Sequence, residues 1–262
     1  MTNKIKSLLF KLLKIDGYLT VVQKSYLLAF RLGLLKNNFS YKWHYFVGSL
    51  LKEGDYIVDI GANLGYFTLQ FAEKVKHSGH LYCVEPVEPF QKQLKKLIAA
   101  KPNVTLLPYA LGEEADKKVT LSIPAQFQKL GYLRHGTTTL LHGGNRADGK
   151  YSFEATMKKG SELFADLPKL DYIKCDIEGY ETVVFPEMRN IIEKYQPLVQ
   201  LETWGEQLMT MYEFFKDLGY TAFYLDKQTL KPLESKAQTL WSDSDILFVP
   251  KTKMKRITAF IG

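Results

Sequence analysis

Between residues 55 and 250, short apolar runs alternate with segments of helical periodicity, which is the pattern of a parallel α/β sheet. We predict strands from seven runs, which are Asp55–Ile60, His80–Glu85, Val104–Leu111, Leu170–Asp176, Leu198–Glu202, Ala222–Leu225 and Asp245–Val249. Helices are predicted over residues 64–76, 88–100, 181–194 and 206–218. The last two runs are close enough to pair antiparallel. The sequence therefore predicts an α/β fold with a mostly parallel seven-stranded sheet and an antiparallel last strand.

A long stretch without helical periodicity separates the third run from the fourth. Within it, Lys118–Ile123 and Tyr151–Met157 alternate between apolar and polar residues, which predicts an inserted hairpin. Loops as long as the segment between them are usually functional or mobile. We therefore predict that residues 125–150 form a lid over an acceptor, with Arg134 or Arg146 meeting an acidic group of that acceptor.

The net charge of +7 lies at the two ends of the chain. Residues 1–54 carry nine Lys/Arg against two Asp/Glu, and residues 251–262 carry four basic residues and no acid, so the remainder is net negative. A nucleic-acid-binding protein usually carries a basic patch on its folded body. The charge distribution therefore predicts no nucleic-acid partner.

The N-terminal segment has the pattern of an amphipathic helix, and further helix is predicted over residues 18–52, with a break near Lys36-Asn37-Asn38. One face of the helix over residues 5–15 carries Ile5, Leu8, Leu9, Leu12, Leu13 and Ile15. Such a face packs on the domain or on a second subunit, or it lies on an anionic membrane. We favour packing and keep peripheral membrane contact through residues 1–16 as a hypothesis.

Cysteine usage and hydropathy predict a cytoplasmic protein. Peripheral attachment to the inner face of the membrane is a further hypothesis. Cys83 and Cys175 lie in apolar, strand-like runs, and two cysteines are too few for a disulfide scaffold. We expect reduced, buried thiols. The chain has neither the roughly 18 uninterrupted apolar residues of a membrane span nor the pattern of a signal peptide.

The turn Asp59–Gly65 (DIGANLG) ends the first strand and precedes a helix. Gly61 and Gly65 let the backbone approach a ligand, and a helix N-terminus offers free N–H groups to an anion. Their G-x-x-x-G spacing suits a carboxylate better than a pyrophosphate. Glu85 ends the second strand, where an acid can accept hydrogen bonds from both hydroxyls of a ribose. S-adenosylmethionine presents both a carboxylate and a ribose, and Asp59 would orient the turn or the ammonium group of this cofactor.

Acidic residues stand at the carboxyl ends of two later strands. Asp176 and Glu178 follow the fourth, and Glu202 ends the fifth. Three neighbouring carboxylates repel one another unless they share a proton, a cation or a basic partner such as Lys174. We favour Asp176 as general base with Glu178 holding the acceptor, and His135 as an alternative base because its ordinary pKa lies near working pH.

Two other roles for these acids stay open. The three carboxylates have the oxygen ligands that Mg²⁺ prefers, although we predict no metal. Alternatively, Glu178 caps a helix and Lys174 neutralises Asp176, in which case these residues are structural. Two other activities also stay open: an NAD-dependent oxidoreductase, against which the missing middle glycine at Asn63 argues, and a nucleic-acid (RNA) methyltransferase, which the basic ends suggest.

The sequence resembles the FkbM family of S-adenosylmethionine-dependent methyltransferases. The matching stretches are Asp59–Thr68 (DIGANLGYFT), Leu81–Pro86 (LYCVEP), Ala110–Gly112 (ALG), Ile173–Glu181 (IKCDIEGYE), Pro197–Glu202 (PLVQLE) and Asp245–Pro250 (DILFVP). The resemblance covers residues 53–250, and the segment IKCDIEGYE is its most specific part. It implies a Rossmann-like class I methyltransferase fold and methyl transfer to hydroxyls of sugars and polyketide natural products.

The resemblance also implies which residues contact S-adenosylmethionine. They are Asp59, Gly61, Asn63, Gly65, Phe67, Thr68, Glu85, Tyr109 and Ala110, with Tyr109 standing where the family commonly has Asn. The expected organisation is a helical segment over residues 1–52, a methyltransferase domain over residues 53–250 and a basic tail over residues 251–262. The expected reaction is O-methylation of a small-molecule or glycan acceptor at a sugar, glycan or glycolipid hydroxyl.

Overall fold

The computed structural model describes residues 3–123, 131–140, 151–233 and 245–262. Its helices are α1 (Asn3–Arg31), α2 (Lys42–Phe46), α3 (Thr68–Val75), α4 (Glu88–Ile98), α5 (Gly160–Leu163), α6 (Glu181–Glu187), α7 (Arg189–Tyr195) and α8 (Gly205–Asp217). Its strands are β1 (Tyr56–Ile60), β2 (His80–Val84), β3 (Val104–Leu107), β4 (Ala110–Leu111), β5 (Lys118–Ser122), β6 (Thr139–Leu140), β7 (Ser152–Lys158), β8 (Tyr172–Cys175), β9 (Leu198–Glu202), β10 (Tyr220–Asp226), β11 (Thr229–Pro232) and β12 (Asp245–Pro250).

The main sheet has eight strands in the order β3-β2-β1-β8-β9-β12-β10-β11. The first five pair in parallel, whereas β12 runs antiparallel to both of its neighbours. The seven predicted strands are all present, and the antiparallel pairing of the last two is confirmed. The prediction of only seven was wrong, because β11 adds an edge strand to β10. Its sequence, TLKP, has little apolar signal and contains a proline, which edge strands tolerate.

Strand β1 is buried on both faces, as expected for the middle of a parallel sheet. Val58 and Ile60 belong to the apolar cluster that includes residues of α6, α7 and α8, and Ile57 belongs to the cluster on the opposite face. Because side chains alternate along a strand, Asp59 points to the same side as Ile57. Asp59 lies in register with Lys174 of β8. The sheet therefore brings an acid and a base together inside the core.

A second sheet, of order β4-β7-β5-β6, is built from the stretch between β3 and β8. The predicted hairpin is confirmed, since β5 and β7 pair antiparallel from Lys118–Thr156 to Ser122–Ser152. The third predicted strand is shorter than expected because it ends at Leu107. Pro108 follows, and proline cannot donate a strand hydrogen bond. Of the predicted lid, only residues 131–140 are described, and Arg146 lies outside the described residues.

Helix α1 packs beside α4 and against the turn that follows β1. Gln23 Nε2 donates a hydrogen bond to the backbone carbonyl of Leu64 at 2.7 Å, and Thr20 Oγ1 donates to Gln93 Oε1 at 2.9 Å. The helix has one non-helical residue, Lys14, with φ 54° and ψ −167°. The helix ends at Arg31 and α2 begins at Lys42, so the predicted break near Lys36 is present and begins a few residues earlier than expected.

The basic residues 251–262 pack on the domain. Ile257 is fully buried, Arg256 Nε donates to the carbonyl of Leu50 at 2.8 Å, and its guanidinium pairs with Asp55. The predicted thiols Cys83 and Cys175 are free and buried. The domain boundaries drawn from the sequence stay a prediction.

Within the described ranges, no helix is both long enough and apolar enough to cross a membrane.

Candidate active site

An open cleft of about 650 Å³ lies at the carboxyl ends of β1, β2 and β8. Of the predicted cofactor-binding residues, those that line it are Gly61, Asn63, Glu85, Tyr109 and Ala110. Of the candidate catalytic residues, those that line it are Asp176, Glu178 and His135. The strand order thus brings together residues that are more than 100 positions apart in the chain.

The other predicted residues, Asp59, Gly65, Phe67, Thr68 and Lys174, do not line the cleft. Thr68 Oγ1 donates a hydrogen bond to Asp59 Oδ2 at 3.0 Å, and the ring of Phe67 lies 5.2 Å from Lys174 Nζ. Asp59 is buried, and burial raises its pKa to about 6. These residues support the turn from behind, so their contacts with a cofactor stay predictions.

The turn after β1 passes very close to the end of β8. Gly61 has φ +76°, a conformation that glycine adopts without steric cost. A Cβ atom built on it would lie 1.9 Å from the backbone oxygen of Asp176. The residue at position 61 must therefore be glycine for Asp176 to sit where it does.

Three amide groups of the turn are used within the structure itself. The N–H groups of Gly61 and Ala62 both donate to the carbonyl of Val84 at 3.0 Å, and that of Gly65 donates to the carbonyl of Ala62 at 2.8 Å. Helix α3 begins at Thr68 rather than at residue 64. These three amides therefore fix the conformation of the turn, and the prediction that free N–H groups at the helix N-terminus meet a carboxylate stays a prediction.

Asn63 and Glu85 form the wall of the cleft between β1 and β2. The Asn63 N–H donates to Glu85 Oε2 at 2.7 Å, and the Val87 N–H donates to Glu85 Oε1 at 2.8 Å. Burial raises the pKa of Glu85 to about 7, although both N–H donors favour its ionised form. Each carboxylate oxygen keeps a second lone pair that can accept another hydrogen bond. Glu85 therefore retains the accepting capacity that two ribose hydroxyls require.

His135 ties the described part of the predicted lid to this wall. Its Nδ1 lies 3.1 Å from Asn63 Oδ1, its Nε2 lies 3.3 Å from the Tyr66 hydroxyl, and its carbonyl accepts from Asn63 Nδ2 at 3.0 Å. Burial and the nearby Lys6 charge lower the pKa of His135 to about 4. His135 is therefore neutral, and because both of its ring nitrogens have partners, it suits a role in positioning the cleft wall. Its role as an alternative base stays a prediction.

The register of the sheet explains how the acids meet. Cys175 pairs with Leu201 on β9, which places Asp176 beside Glu202. Lys174 Nζ lies 3.1 Å from Asp176 Oδ2, and the side chain of Lys174 is only 5% exposed whereas that of Asp176 is 35% exposed. The pair therefore presents a carboxylate to the cleft and hides its counter-charge in the core.

Charge in this group is balanced by one lysine and one shared proton. Burial raises the pKa of Glu202, and a hydrogen bond with Asp176 raises it further, so Glu202 holds the proton. Burial alone would raise the pKa of Asp176, but Lys174 and the bond with Glu202 outweigh it and hold that pKa below its usual value. Asp176 therefore stays ionised.

Glu178 differs from Asp176 because no lysine among the described residues forms an ion pair with it. Burial, together with the charges of Asp176 and Glu181, raises the pKa of Glu178 to about 7, and Arg134 opposes the shift. Its backbone is left-handed, with φ 55°, which costs a non-glycine residue energy and often marks a functional site. The Thr139 hydroxyl donates to its carbonyl at 3.2 Å and holds the predicted lid against it.

The acids also satisfy one requirement of a metal site. Carboxylate oxygens of Asp176, Glu178 and Glu202 lie within 4.8 Å of one another, a spacing that a divalent ion can bridge. Lys174 and the proton shared by Asp176 and Glu202 also reduce the repulsion among these carboxylates. Both interpretations made from the sequence therefore stay open.

The sequence did not identify the apolar lining of the cleft. It comprises residues such as Val84, Val87, Phe90, Leu111, Leu121 and Leu140. Val84 and Val87 flank Glu85 and could have been found from that motif. Leu121 and Leu140 come from the second sheet, and nothing in the sequence indicates that they approach the cleft.

Comparisons with known proteins bear on the family and on the fold. A family model described as the methyltransferase FkbM domain matches residues 59–222. The fold is similar to that of a methyltransferase FkbM from Methylobacillus flagellatus KT, with a TM-score of 0.51 and 15% identity over 79% of this chain and 47% of that one. This chain therefore spans about half of that relative, and the likeness confirms the predicted Rossmann-like class I methyltransferase fold.

Two further structures are similar at lower TM-scores. Precorrin-6y C5,15-methyltransferase from Geobacter metallireducens GS-15 has a TM-score of 0.43 and 12% identity over 78% of this chain and 82% of that one. An S-adenosylmethionine-dependent O-methyltransferase from Thermotoga maritima has a TM-score of 0.42 and 12% identity over 78% and 63%. Among curated proteins, no sequence matches this chain.

Proposed function

Because this chain belongs to the FkbM methyltransferase family, we propose that it transfers a methyl group from S-adenosylmethionine to a hydroxyl of a sugar, glycan or glycolipid. One observation carries the proposal: two carboxylates of different basicity, Asp176 and Glu178, line the same cleft as Glu85. Glu85 suits the donor's ribose, and the pair of acids suits a hydroxyl that must lose a proton.

The residues of the cleft are suited to the donor. Glu85 would accept hydrogen bonds from the ribose hydroxyls, and Val84, Val87 and Leu111 would contact the flat adenine. At Gly61, which has no side chain, the backbone of the turn would lie close to the donor. Asp59 lies behind this turn rather than in the cleft, and its Oδ1 has no hydrogen-bond partner among the described residues, so it keeps a free acceptor for the turn or for the ammonium group of the donor. When bound, S-adenosylmethionine supplies an electrophilic methyl group on a sulfonium.

Asp176 and Glu178 have different roles toward the acceptor. The ionised Asp176 accepts a hydrogen bond from a neighbouring hydroxyl of the acceptor and so aligns the reacting oxygen with the methyl group, at the ~3–3.5 Å separation that direct transfer needs. Glu178 takes the hydroxyl proton as the new carbon–oxygen bond forms and the carbon–sulfur bond breaks. This reverses the roles assigned from the sequence, since a base works best when its pKa is near the working pH.

Lys174 and Glu202 are positioning residues in this scheme. Burial opposes the charge of Lys174, but Asp176, Asp59, Asp245 and Glu202 together raise its pKa above the usual range, so it remains a cation. That fixed charge and the proton held by Glu202 keep Asp176 ionised. The carboxylate is therefore ready to accept a hydrogen bond before the acceptor arrives.

Calorimetry with the full chain tests the donor, and we expect saturable binding of S-adenosylmethionine and none of NAD. Methyl-labelled S-adenosylmethionine supplied with a panel of glycans and glycolipids, with RNA as a further arm, would then be read by mass spectrometry for labelled products. Label on a sugar hydroxyl supports the proposal. Binding of NAD alone, or label only on RNA, would overturn it.

The proposed base predicts the pH dependence of turnover. Only the deprotonated carboxylate can accept the proton, and the pKa of Glu178 is about 7, so kcat should rise about tenfold per pH unit below pH 7 and level off above it. Glu178→Gln should lower kcat about 10²–10⁴-fold and remove this rise. The measurement is kcat against pH for both proteins.

A matched control is Glu193→Gln, which removes an exposed helical carboxylate that is paired with Arg189. This variant should keep the full pH profile. If Glu178→Gln also kept the rise below pH 7, and Asp176→Asn lost it, Asp176 would be the base, as assigned from the sequence.

A further inference from the structure

The first part of α1 is a short helical arm with its own exposed face. The non-helical residue Lys14 separates residues 3–13 from the rest of the helix. On the inner side of this arm, the Phe10 ring lies 5.2 Å from that of Tyr18 and 5.8 Å from that of Tyr151. On the outer side, Leu8 is 58% exposed and Leu12 is 70% exposed.

The outer face combines apolar and basic side chains. Ile5 is also half exposed and shares the face with Leu8 and Leu12, because residues three and four apart are neighbours on a helix. By the same spacing, the exposed Lys4 lies one turn before Leu8 and the exposed Lys11 lies one turn after it. No acidic residue occurs before Asp16. The face therefore offers leucines for insertion with positive charge beside them.

We propose that this face, formed by Ile5, Leu8 and Leu12 with Lys4 and Lys11, docks on an anionic lipid surface. Helices that lie in the membrane interface insert an apolar face and hold anionic headgroups with their lysines. A second copy of this chain suits the face less well. A two-fold dimer would bring the lysines of both copies to one small interface, where like charges repel.

The same arm contacts the segment that leads into the cleft. The Tyr132 hydroxyl donates to Asn3 Oδ1 at 3.1 Å, and Lys6 Nζ lies 5.4 Å from the centre of the Tyr132 ring. Three residues later, His135 bonds to Asn63 in the cleft wall. If the proposed function holds, on which this step rests, a lipid-linked acceptor would reach the cleft beside the docked arm.

Co-sedimentation of the full chain with vesicles tests the docking without donor or acceptor. We expect binding to equimolar phosphatidylglycerol and phosphatidylcholine, and little to phosphatidylcholine alone. The double variant Leu8→Ser with Leu12→Ser should lose at least about tenfold in vesicle affinity. The matched control, Leu28→Ser with Leu32→Ser, alters a second exposed leucine pair, 60% and 64% exposed, and should bind as the parent does.

The proposal would be overturned if the parent protein did not bind anionic vesicles, or if the Leu28 and Leu32 double variant lost as much vesicle affinity as the Leu8 and Leu12 double variant. It would also be overturned if the parent protein were a dimer in sedimentation equilibrium and the Leu8 and Leu12 double variant were a monomer. A Lys4→Gln with Lys11→Gln variant that bound anionic vesicles as tightly as the parent would also count against it. Calorimetric binding of S-adenosylmethionine, measured on each variant, shows separately whether the methyltransferase site is intact.

Discussion

We expect Asp176→Asn to lower turnover by about 10²–10⁴-fold while the affinity for S-adenosylmethionine changes little. The substitution keeps the shape of the side chain and removes its charge, so the acceptor hydroxyl loses the carboxylate that aligns it. It also weakens the base, because the negative charge of Asp176 helps to raise the pKa of Glu178. Turnover is measured with methyl-labelled donor, and donor affinity is measured by calorimetry.

Asp171→Asn is the matched control for this prediction. Asp171 directly precedes the other end of the same strand, β8, where it lies 3.6 Å from Lys169 and 3.9 Å from Lys253. Losing this acid should affect stability without affecting turnover. Normal turnover in Asp176→Asn would remove Asp176 from the mechanism. Activity of the parent protein that disappeared in EDTA and returned with Mg²⁺ would instead assign the acids to a metal.

The parts of the fold that the sequence predicted are those with strong local patterns. Strands β1, β8 and β9 are mostly apolar because both of their faces are buried, and such runs are easily recognised. The two-residue strand β4 depends on β7, which is distant in the sequence, and the edge strand β11 pairs with β10 although its own sequence has little apolar signal. No local pattern predicts them.

The sequence likewise predicted some features of the candidate site and not others. The positions of Gly61, Glu85 and Asp176 follow from strand ends, because parallel strands finish at one edge of the sheet. The charge of each acid could not be predicted, since it depends on which partner the register brings close. Lys174 pairs with Asp176 at 3.1 Å, whereas the pKa of Glu178 is raised, and this difference underlies the reversed roles that we propose.

Gly61→Ala should have the largest effect on the donor site. A left-handed conformation costs an L-residue about 1–2 kcal/mol, and the new Cβ would also lie 1.9 Å from the backbone oxygen of Asp176. Backbone atoms cannot rotate away as a side chain can, so β1 and β8 must separate at the cleft. We expect at least about a hundredfold loss of S-adenosylmethionine affinity and a lower Tm.

Two other glycines make this prediction specific to the close approach at position 61. A Cβ on Gly65 would meet the methyl ends of Leu97 and Leu94, at 2.5 and 2.8 Å, and these flexible ends can shift. A Cβ on Gly136, which also lines the cleft, would meet nothing within 4 Å. The loss of donor affinity by calorimetry should therefore be greatest for Gly61→Ala, smaller for Gly65→Ala and least for Gly136→Ala, with circular dichroism used to confirm that each variant is folded. Equal affinity in the folded Gly61 and Gly136 variants would show that the contact between this turn and Asp176 does not shape the donor site.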